Sequence, residues 1–409
     1  MTTPTMCNSK TPQQKAKEII DRVHSRVAGI GGWRNIYSSY PQLADAVERA
    51  PKQVPCPFTG DGKTKFRFRK KDLYTGCAIH NDFPVNTFVD GIDVLSHLLQ
   101  LSKTETCKVI LRDHFGDDIS APLTKADLQL NEEYKREVKA SKILEPEEVA
   151  ERAKKLEAVY HYTSQVTEDT SVGRYLKKRG LSRIFSNLPK DIGVNPRLYY
   201  WDNGKTVTYP GMIAVYRDNR GRRLTIHRTY LEVNGDKAKV DKPKLMMKPP
   251  ADMHGGSIQL FEPHYNESTS TWLLGVSEGI ENALSVIEAT SMPCWAASSS
   301  WALENMEIPD YLLPPPDVKF INFYIWSDKD RPNSLGVCPG AEAASKLYTR
   351  MKAYLEGRYP ASQLNIQVLE PEGQIPENKK GIDWNNVLVN EGSDGFPVRC
   401  APELLMQLK

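Results

Sequence analysis

Three carboxylates sit where two short apolar runs give out. Trp272-Leu273-Leu274-Gly275-Val276 passes through Ser277 into Glu278-Gly279, and the run from Val318 to Trp326 passes through Ser327 into Asp328-Lys329-Asp330. Asp328 and Asp330 are two residues apart, so in an extended segment both side chains point to the same side. Gathered with Glu278 at one edge of a sheet, the three would repel one another unless protonated or neutralised by cations. Neither motif contains Cys or His, and oxygen-only donors suit a hard ion, Mg²⁺ or Mn²⁺, rather than zinc. Such a set suits phosphoryl chemistry, where metal orients an attacking hydroxyl and stabilises developing charge. Taken singly, each acid would be an ordinary solvated loop residue. The order of the elements around them is what sets them apart.

Those elements follow from the apolar pattern. A helix is expected from Ile280 to Ala289, further strands at Met292 to Ala297 and Asn365 to Leu369, and a second helix from about Gly340 to Leu355. Strand, helix, strand, strand, helix, strand is the order of a parallel sheet with helices packed against it, an α/β fold. Open sheets of this kind carry their sites at the C-terminal ends of the strands, where these acids fall.

The segment Val276-Ser277-Glu278-Gly279-Ile280-Glu281-Asn282-Ala283-Leu284-Ser285 resembles the first toprim motif, in which Glu-Gly follows the first strand. Trp326-Ser327-Asp328-Lys329-Asp330 resembles the second, the Asp-x-Asp motif, 50 positions on (328 − 278). Gly340-Ala341-Glu342-Ala343-Ala344 is similar to the helix start that follows. Gly381-Ile382-Asp383-Trp384-Asn385-Asn386-Val387 resembles the segment closing the domain in phage and plasmid primases. The resemblance covers about residues 172 to 390. It implies a toprim-type sheet flanked by helices, with Glu278 as general acid/base or metal ligand, Asp328 and Asp330 as ligands of Mg²⁺ or Mn²⁺, and Asp383 as a further ligand. Glu281, three residues after Glu278, either supports the site or faces solvent.

Toprim domains also occur in topoisomerases, nucleases and repair proteins, so the segment upstream matters. Val172 to Leu181, with Tyr175-Leu176-Lys177-Lys178-Arg179-Gly180-Leu181, resembles the entry to DnaG-type primase cores. Pro210 to Asp218, Gly221-Arg222, His227 to Leu231 and Pro243-Lys244 resemble the strand pair and the Pro-Lys that follow it. Residues 217 to 248 hold ten Lys or Arg against four acids. A basic surface directly before an acidic metal site can hold template phosphates and the incoming triphosphate. A solvated hairpin with Lys-rich edges would carry similar residues. Arg217, Arg228 and Lys244 coincide with the family pattern and are the expected binding residues.

Near the N-terminus, Pro55-Cys56-Pro57-Phe58-Thr59 precedes Lys63 to Arg69, then Cys77-Ala78-Ile79-His80 and Asp90-Gly91. The arrangement resembles the zinc ribbon at the front of satellite-phage and plasmid primases. Zinc wants four ligands near tetrahedral geometry; Cys56, Cys77 and His80 supply three, and Thr59 stands where the fourth belongs. Either another residue completes a Zn²⁺ site or the ribbon has kept its fold without metal. Lys65, Arg67 and Arg69 alternate with Phe66 and Phe68, so a strand would put basic residues on one face and aromatics on the other. The basic face either meets water or contacts template.

The formal net charge of 409 residues is only +3, so local clusters carry the electrostatic case. No apolar run approaches the roughly 18 residues of a membrane span, and Met1 to Lys10 lacks the apolar stretch of a signal peptide. Seven widely spaced cysteines suit a reducing compartment, so a cytoplasmic protein is expected. No Gly-x-x-x-x-Gly-Lys-Ser/Thr loop occurs, which assigns any helicase motor to a separate protein. Four segments are expected: a ribbon-like template-binding module at 11–116, a charged helical linker at 117–170, a basic subdomain at 171–265 and a toprim domain at 266–395. Together with the resemblance they imply a primase of a phage, satellite or plasmid that joins nucleoside triphosphates on single-stranded DNA. A toprim nuclease and a non-catalytic DNA-binding replication factor are the alternatives.

Overall fold

The computed structural model describes residues 12–69, 71–81, 83, 87–117, 122–141, 146–202, 205–332 and 338–409. The chain divides into two compact units, Met1–Leu144 and Glu145–Lys409. No helix among the described residues is long and apolar enough to cross a membrane.

The first unit comprises α1 (Pro12–Gly29), α2 (Arg34–Ser38), α3 (Pro41–Glu48), β1 (Phe66–Arg67), α4 (Asp72–Thr75), β2 (Ile79–His80), α5 (Gly91–Leu99), α6 (Lys103–Ile110) and α7 (Lys125–Ser141). The helical stretch from Gly91 to Phe115 is interrupted. Gln100 adopts φ 56°, a left-handed cap, and Ser102 starts α6 by accepting from the Glu105 amide. Helix α6 then loosens into a π turn over Leu111–Phe115. Trp33, Tyr37, Phe66, Phe68, Leu95 and Ile110 form the core, and β1 pairs antiparallel with β2.

The charged linker expected at 117–170 is made of two helices, and each packs on a folded part. Helix α7 packs on α1 through a mostly polar stripe, Asp127, Asn131 and Tyr134, spaced one helical turn apart. Asp127 accepts from Ser25 Oγ at 3.1 Å and pairs with Arg26. Tyr134 accepts from Trp33 Nε1 at 2.9 Å and donates to the Thr75 carbonyl at 2.7 Å. Because the contact is made by hydrogen bonds, hydrophobic periodicity does not report it.

The second unit opens with α8 (Pro146–His161), which buries Leu156, Val159 and Tyr160 against a sheet, and α9 (Ser171–Lys178). The sheet is antiparallel, in the order β3 (Ile192–Asp202), β4 (Lys205–Arg217), β5 (Arg223–Tyr230), β6 (Lys244–Met246). Its two faces are distinct. Leu198, Tyr200, Ile213, Ile226 and Tyr230 point toward α8; Val194, Met212, Ala214 and Met246 point toward the remainder of the unit.

That remainder is the expected α/β arrangement. It contains β7 (His264–Asn266), β8 (Thr271–Ser277), α10 (Ile280–Thr290), β9 (Cys294–Ala296), α11 (Ser300–Asn305), β10 (Phe320–Trp326), β11 (Lys329–Asp330), α12 (Pro339–Glu356), β12 (Leu364–Leu369), β13 (Gly381–Ile382) and α13 (Trp384–Glu391). Strand β8 is parallel to β10 and to β9, and β10 is parallel to β12; only β7, at the edge, runs antiparallel. Helix α10 shares a core with the antiparallel sheet, and every one of its residues is buried. Helices α11 and α12 cover the other face through Leu303, Leu347 and Met351.

Candidate active site

The register of the parallel sheet brings the acids together. Ser277 at the end of β8 is paired with Trp326 at the end of β10, so Glu278 and Asp328 leave adjacent strands side by side. Asp330 is turned back toward them by β11, which pairs antiparallel with β13 and sets Asp330 opposite Gly381. Only glycine fits there: a Cβ on residue 381 would lie 2.2 Å from Asp330 Oδ1. Asp383 follows two residues later and caps α13, its Oδ1 accepting from the Asn386 amide at 2.7 Å.

The cluster is short of positive charge. Burial, then the neighbouring Asp383, Glu278 and Asp330, push the Asp328 carboxyl up to about 8. Burial and Asp330 raise Glu278, and burial and Asp383 raise Asp330. Asp328 is held by one amide, Asn282 Nδ2, which donates to both of its oxygens at 2.8 and 2.9 Å. Asn282 Oδ1 accepts from the Asn385 amide at 3.3 Å. Asn385 in turn binds Arg179, donating to its carbonyl at 2.8 Å and accepting from Nη1 at 3.1 Å.

A hard divalent cation fits this donor set. Its oxygens are carboxylate only, their negative charge is uncompensated, and Gly340 at the start of α12 leaves space between two of them. A Cβ on residue 340 would sit 3.5 Å from Glu278 Oε2 and 3.8 Å from Asp330 Oδ2. Among the described residues no group of three Asp, Glu, His or Cys side chains is drawn close enough together to hold a metal ion as it stands. An open carboxylate set matches Mg²⁺, which keeps waters and takes substrate phosphate oxygens alongside one or two carboxylates.

Cations border the acids on the side of the antiparallel sheet. Lys244 on β6 pairs with Glu281 of α10, Nζ to Oε2 2.6 Å, and the Tyr175 hydroxyl donates to the other oxygen of Glu281. Burial acts to raise the Glu281 carboxyl, but Lys244 and Tyr175 outweigh it and hold it down at about 2. Glu281 is thus a supporting residue rather than a solvated one. Lys237 lies in the same field, its ammonium pKa lowered by burial and by Lys244, with Glu281, Arg179 and Asp383 also acting on it.

Of the three basic residues expected to bind nucleic acid or nucleotide, only Lys244 reaches this side. Strand parity decides it. Lys244 is in register with Thr229, whereas Arg228 is in register with Leu245 on the opposite face. The Arg228 guanidinium lies 5.4 Å from the Tyr230 ring, and burial lowers its pKa. Arg217 braces its own hairpin: Nε and Nη2 grip Asp191 at 2.6 and 2.8 Å, and Nη1 donates to the Gly221 carbonyl. Arg179 and Lys237 lie in the field of Lys244 instead. Arg179 lies inside the Tyr175–Leu181 motif, which was the signal available for it.

In the first unit the two faces of the basic-aromatic segment separate as the alternation requires. Phe66 and Phe68 are fully buried. The opposite face is partly neutralised: Lys65 pairs with Asp61 at 2.8 Å, and Arg69 grips the buried Asp72 at 2.6 and 3.0 Å. Arg67 is half-buried, and its Nε has no hydrogen-bond partner among the described residues. Cys56 and His80 meet, Sγ to Nε2 3.2 Å. Cys77 turns its thiol to the Val89 carbonyl at 2.8 Å, and Thr59 bonds Asp61. The three expected zinc ligands are therefore not gathered on one point.

Two family models match the second unit: residues 150–259 match a domain of unknown function, DUF7146, and residues 273–394 match the Toprim domain. The segment that carries the acids is a toprim domain. No curated protein matches the chain. Among solved structures it is similar to a DNA primase domain from Pseudomonas aeruginosa, with 16% identity and TM-score 0.34, over 58% of this chain and 74% of that one. It is similar also to a DnaG catalytic core (16%, TM-score 0.31, 58% and 73%). A third is the RNA polymerase domain of Mycobacterium tuberculosis primase DnaG (11%, TM-score 0.31, 60% and 80%).

Proposed function

We propose that this toprim protein is a DNA primase: it joins nucleoside triphosphates into short primers on single-stranded DNA, in the replication of a mobile element. The observation that carries the reading is the juxtaposition of an uncompensated acid cluster, Glu278, Asp328 and Asp330, with the cations Lys237, Lys244 and Arg179. A nuclease needs the acids. A polymerising enzyme needs, in addition, cations for a triphosphate and its pyrophosphate.

In this reading Lys244 and Lys237 hold the triphosphate, and Asn282 keeps the Asp328 carboxylate from turning away. Glu278, raised by burial and by Asp330, takes the proton of the attacking 3′-hydroxyl. The oxygen–phosphorus bond forms at the α-phosphate, the bond to the β-phosphate breaks, and pyrophosphate leaves past the lysines. A bound Mg²⁺ or Mn²⁺, held by Glu278, Asp328 and Asp330 with Asp383 as a further ligand, would supply charge stabilisation on the phosphate oxygens. The first unit, with Lys65, Arg67 and Arg69, serves as the template-binding module, and strand separation falls to a separate helicase.

The test is a single-stranded template with labelled ribonucleotides and Mg²⁺ or Mn²⁺, run on wild type, Asp328→Ala and Asp330→Ala. Templated oligomers that vanish in both variants are expected. Degradation of the template would replace the reading with a nuclease, and binding without turnover would replace it with a replication scaffold.

A further inference from the structure

The face of the antiparallel sheet that holds Lys244 does not end where α10 stops covering it. Lys244, Thr229, Met212 and Val194 form one cross-sheet row. Beyond it, β3 and β4 continue as a free-standing hairpin, with Tyr199 opposite Thr208 and Trp201 opposite Thr206. Thr206 and Thr208 alternate in step with Met212 along β4, so Tyr199 and Trp201 share the face of Lys244. Their rows lie about 14 and 20 Å from the Lys244 row at a strand rise of ~3.4 Å per residue.

This extension is unusual in what it exposes. Tyr199 is 66% and Trp201 71% solvent-exposed, and Arg197, two residues before Tyr199, is exposed beside them. The hairpin's other face is locked: Tyr200 packs edge-on against Tyr209 and Tyr230, with centroids 6.3 and 5.0 Å apart, and the Tyr230 hydroxyl donates to the Tyr199 carbonyl at 2.8 Å. The two exposed rings therefore stand on a braced strand. Asp202 sits across from Lys205 on the locked side, and the described residues of β3 and β4 place no carboxylate on the ring-bearing face.

Exposed large aromatics on a rigid, acid-free surface call for a flat, anionic, apolar-faced partner, which is the chemistry of an unpaired nucleic-acid strand. Tyr199 and Trp201 are separated by two strand rises, about 6.8 Å, enough for one base plane between the rings or one on each. We infer that this hairpin face is a stacking platform for single-stranded DNA, with Tyr199 and Trp201 taking bases, Arg197 a phosphate, and the strand running from there toward Lys244 and the acids. The inference rests on the reading that the chain works on a single-stranded template, and it replaces Arg217 and Arg228 as the expected contacts of this subdomain.

The test is fluorescence anisotropy of labelled oligo(dT) with the full chain, without metal or nucleotides, in parallel with primer synthesis. All substituted rings are exposed, so folding is preserved. Tyr199→Ala with Trp201→Ala is expected to weaken binding at least about tenfold, the loss of stacking on one or two bases. Tyr199→Phe with Trp201→Phe, which keeps both rings, is expected to bind as wild type. If the alanine pair binds as wild type while primers are still made, the platform is wrong and the primase reading stands. If the alanine pair loses binding but no enzyme form makes primers, the platform stands and the reading of the chemistry falls. A wild-type dimer that dissociates in the alanine pair, with oligo(dT) affinity unchanged, would assign the face to a second copy and overturn the proposal.

Discussion

Helix α10 adjoins two sets of carboxylates, one buried and one reaching the surface, and they are opposites. Glu281 and Glu288 lie on the helix and are fully supplied with donors: Glu281 has Lys244 and Tyr175, and Glu288 accepts from the backbone amides of Ser182, Arg183 and Ile184. Glu278, Asp328 and Asp330, just past its N-terminal end, are surrounded by each other, and for Asp328 the side-chain donor is a neutral amide, Asn282. Burial alone therefore does not mark a functional acid, since Glu281 is among the most buried groups of all. The mark is crowding without compensation: the first set holds the fold together, and the second carries an excess of negative charge that a cation can neutralise.

The largest effect should come from breaking the uncompensated set. Asp328→Asn and Glu278→Gln should each lower primer synthesis at least about a hundredfold. In EDTA the Asp328→Asn protein should be the more stable one. A carboxyl raised to about 8 binds its proton more tightly folded than unfolded, so it opposes folding increasingly as pH rises from about 4 toward 8. At pH 8 the variant's melting midpoint should exceed wild type by at least about 3 °C, roughly 1 kcal/mol in a domain of this size. The gap should close near pH 4, and Mg²⁺ should raise only the wild type. Melting curves with and without metal decide it, and a variant less stable than wild type at pH 8 would erase the contrast.

Gly340→Ala sharpens the same comparison from the side of space rather than charge. The added methyl makes ordinary contacts at 3.5 and 3.8 Å and favours the helix by at most about 1 kcal/mol. It fills the gap between Glu278 and Asp330, so primer synthesis should fall about tenfold or more and the Mg²⁺ stabilisation should shrink, while the melting midpoint in EDTA holds or rises by up to about 3 °C. Unchanged metal response would place the ion elsewhere.

Breaking the compensated set should cost stability first. Glu281→Gln should destabilise by about 2–3 kcal/mol, less than a fully buried pair because Lys244 can turn to water. Glu281 has a depressed pKa, so its contribution is present above the unfolded value near 4.3 and is lost as pH falls toward about 2. The variant's acid unfolding should be flatter over that range. The smallest effect is expected at Cys77→Ala: loss of one thiol contact, about 1 kcal/mol, with no change in zinc content by metal analysis.

Much of the acidic site was legible because it is local. Glu278 after one strand, and Asp328 and Asp330 after another, need only that the strands be parallel neighbours, and the order of apolar runs implied that. The cations were not legible in the same way. Lys244, Arg228 and Arg217 are equally basic in the chain, but a shift of one residue in strand register sends a side chain to the opposite face, and the pairing of Thr229 with Lys244 exists only in the sheet. Helix α7 reads as part of a charged linker because its contact stripe, Asp127, Asn131 and Tyr134, is mostly polar. Cys56, Cys77 and His80 have the spacing of ligands, yet the Cys77 thiol turns to Val89.

The chain alone determined the α/β order, the toprim motifs and the three acids, because each depends on residues within a few positions of one another and on the strand ends that carry them. Tertiary structure decided which charges are answered and which are left open. Glu281 and Asp328 are both acids near one helix, but only the approach of β6 gives one of them a lysine and leaves the other a neutral amide. Distance between charges and exclusion of water are properties of the packed sheet and helix, and no local pattern encodes them.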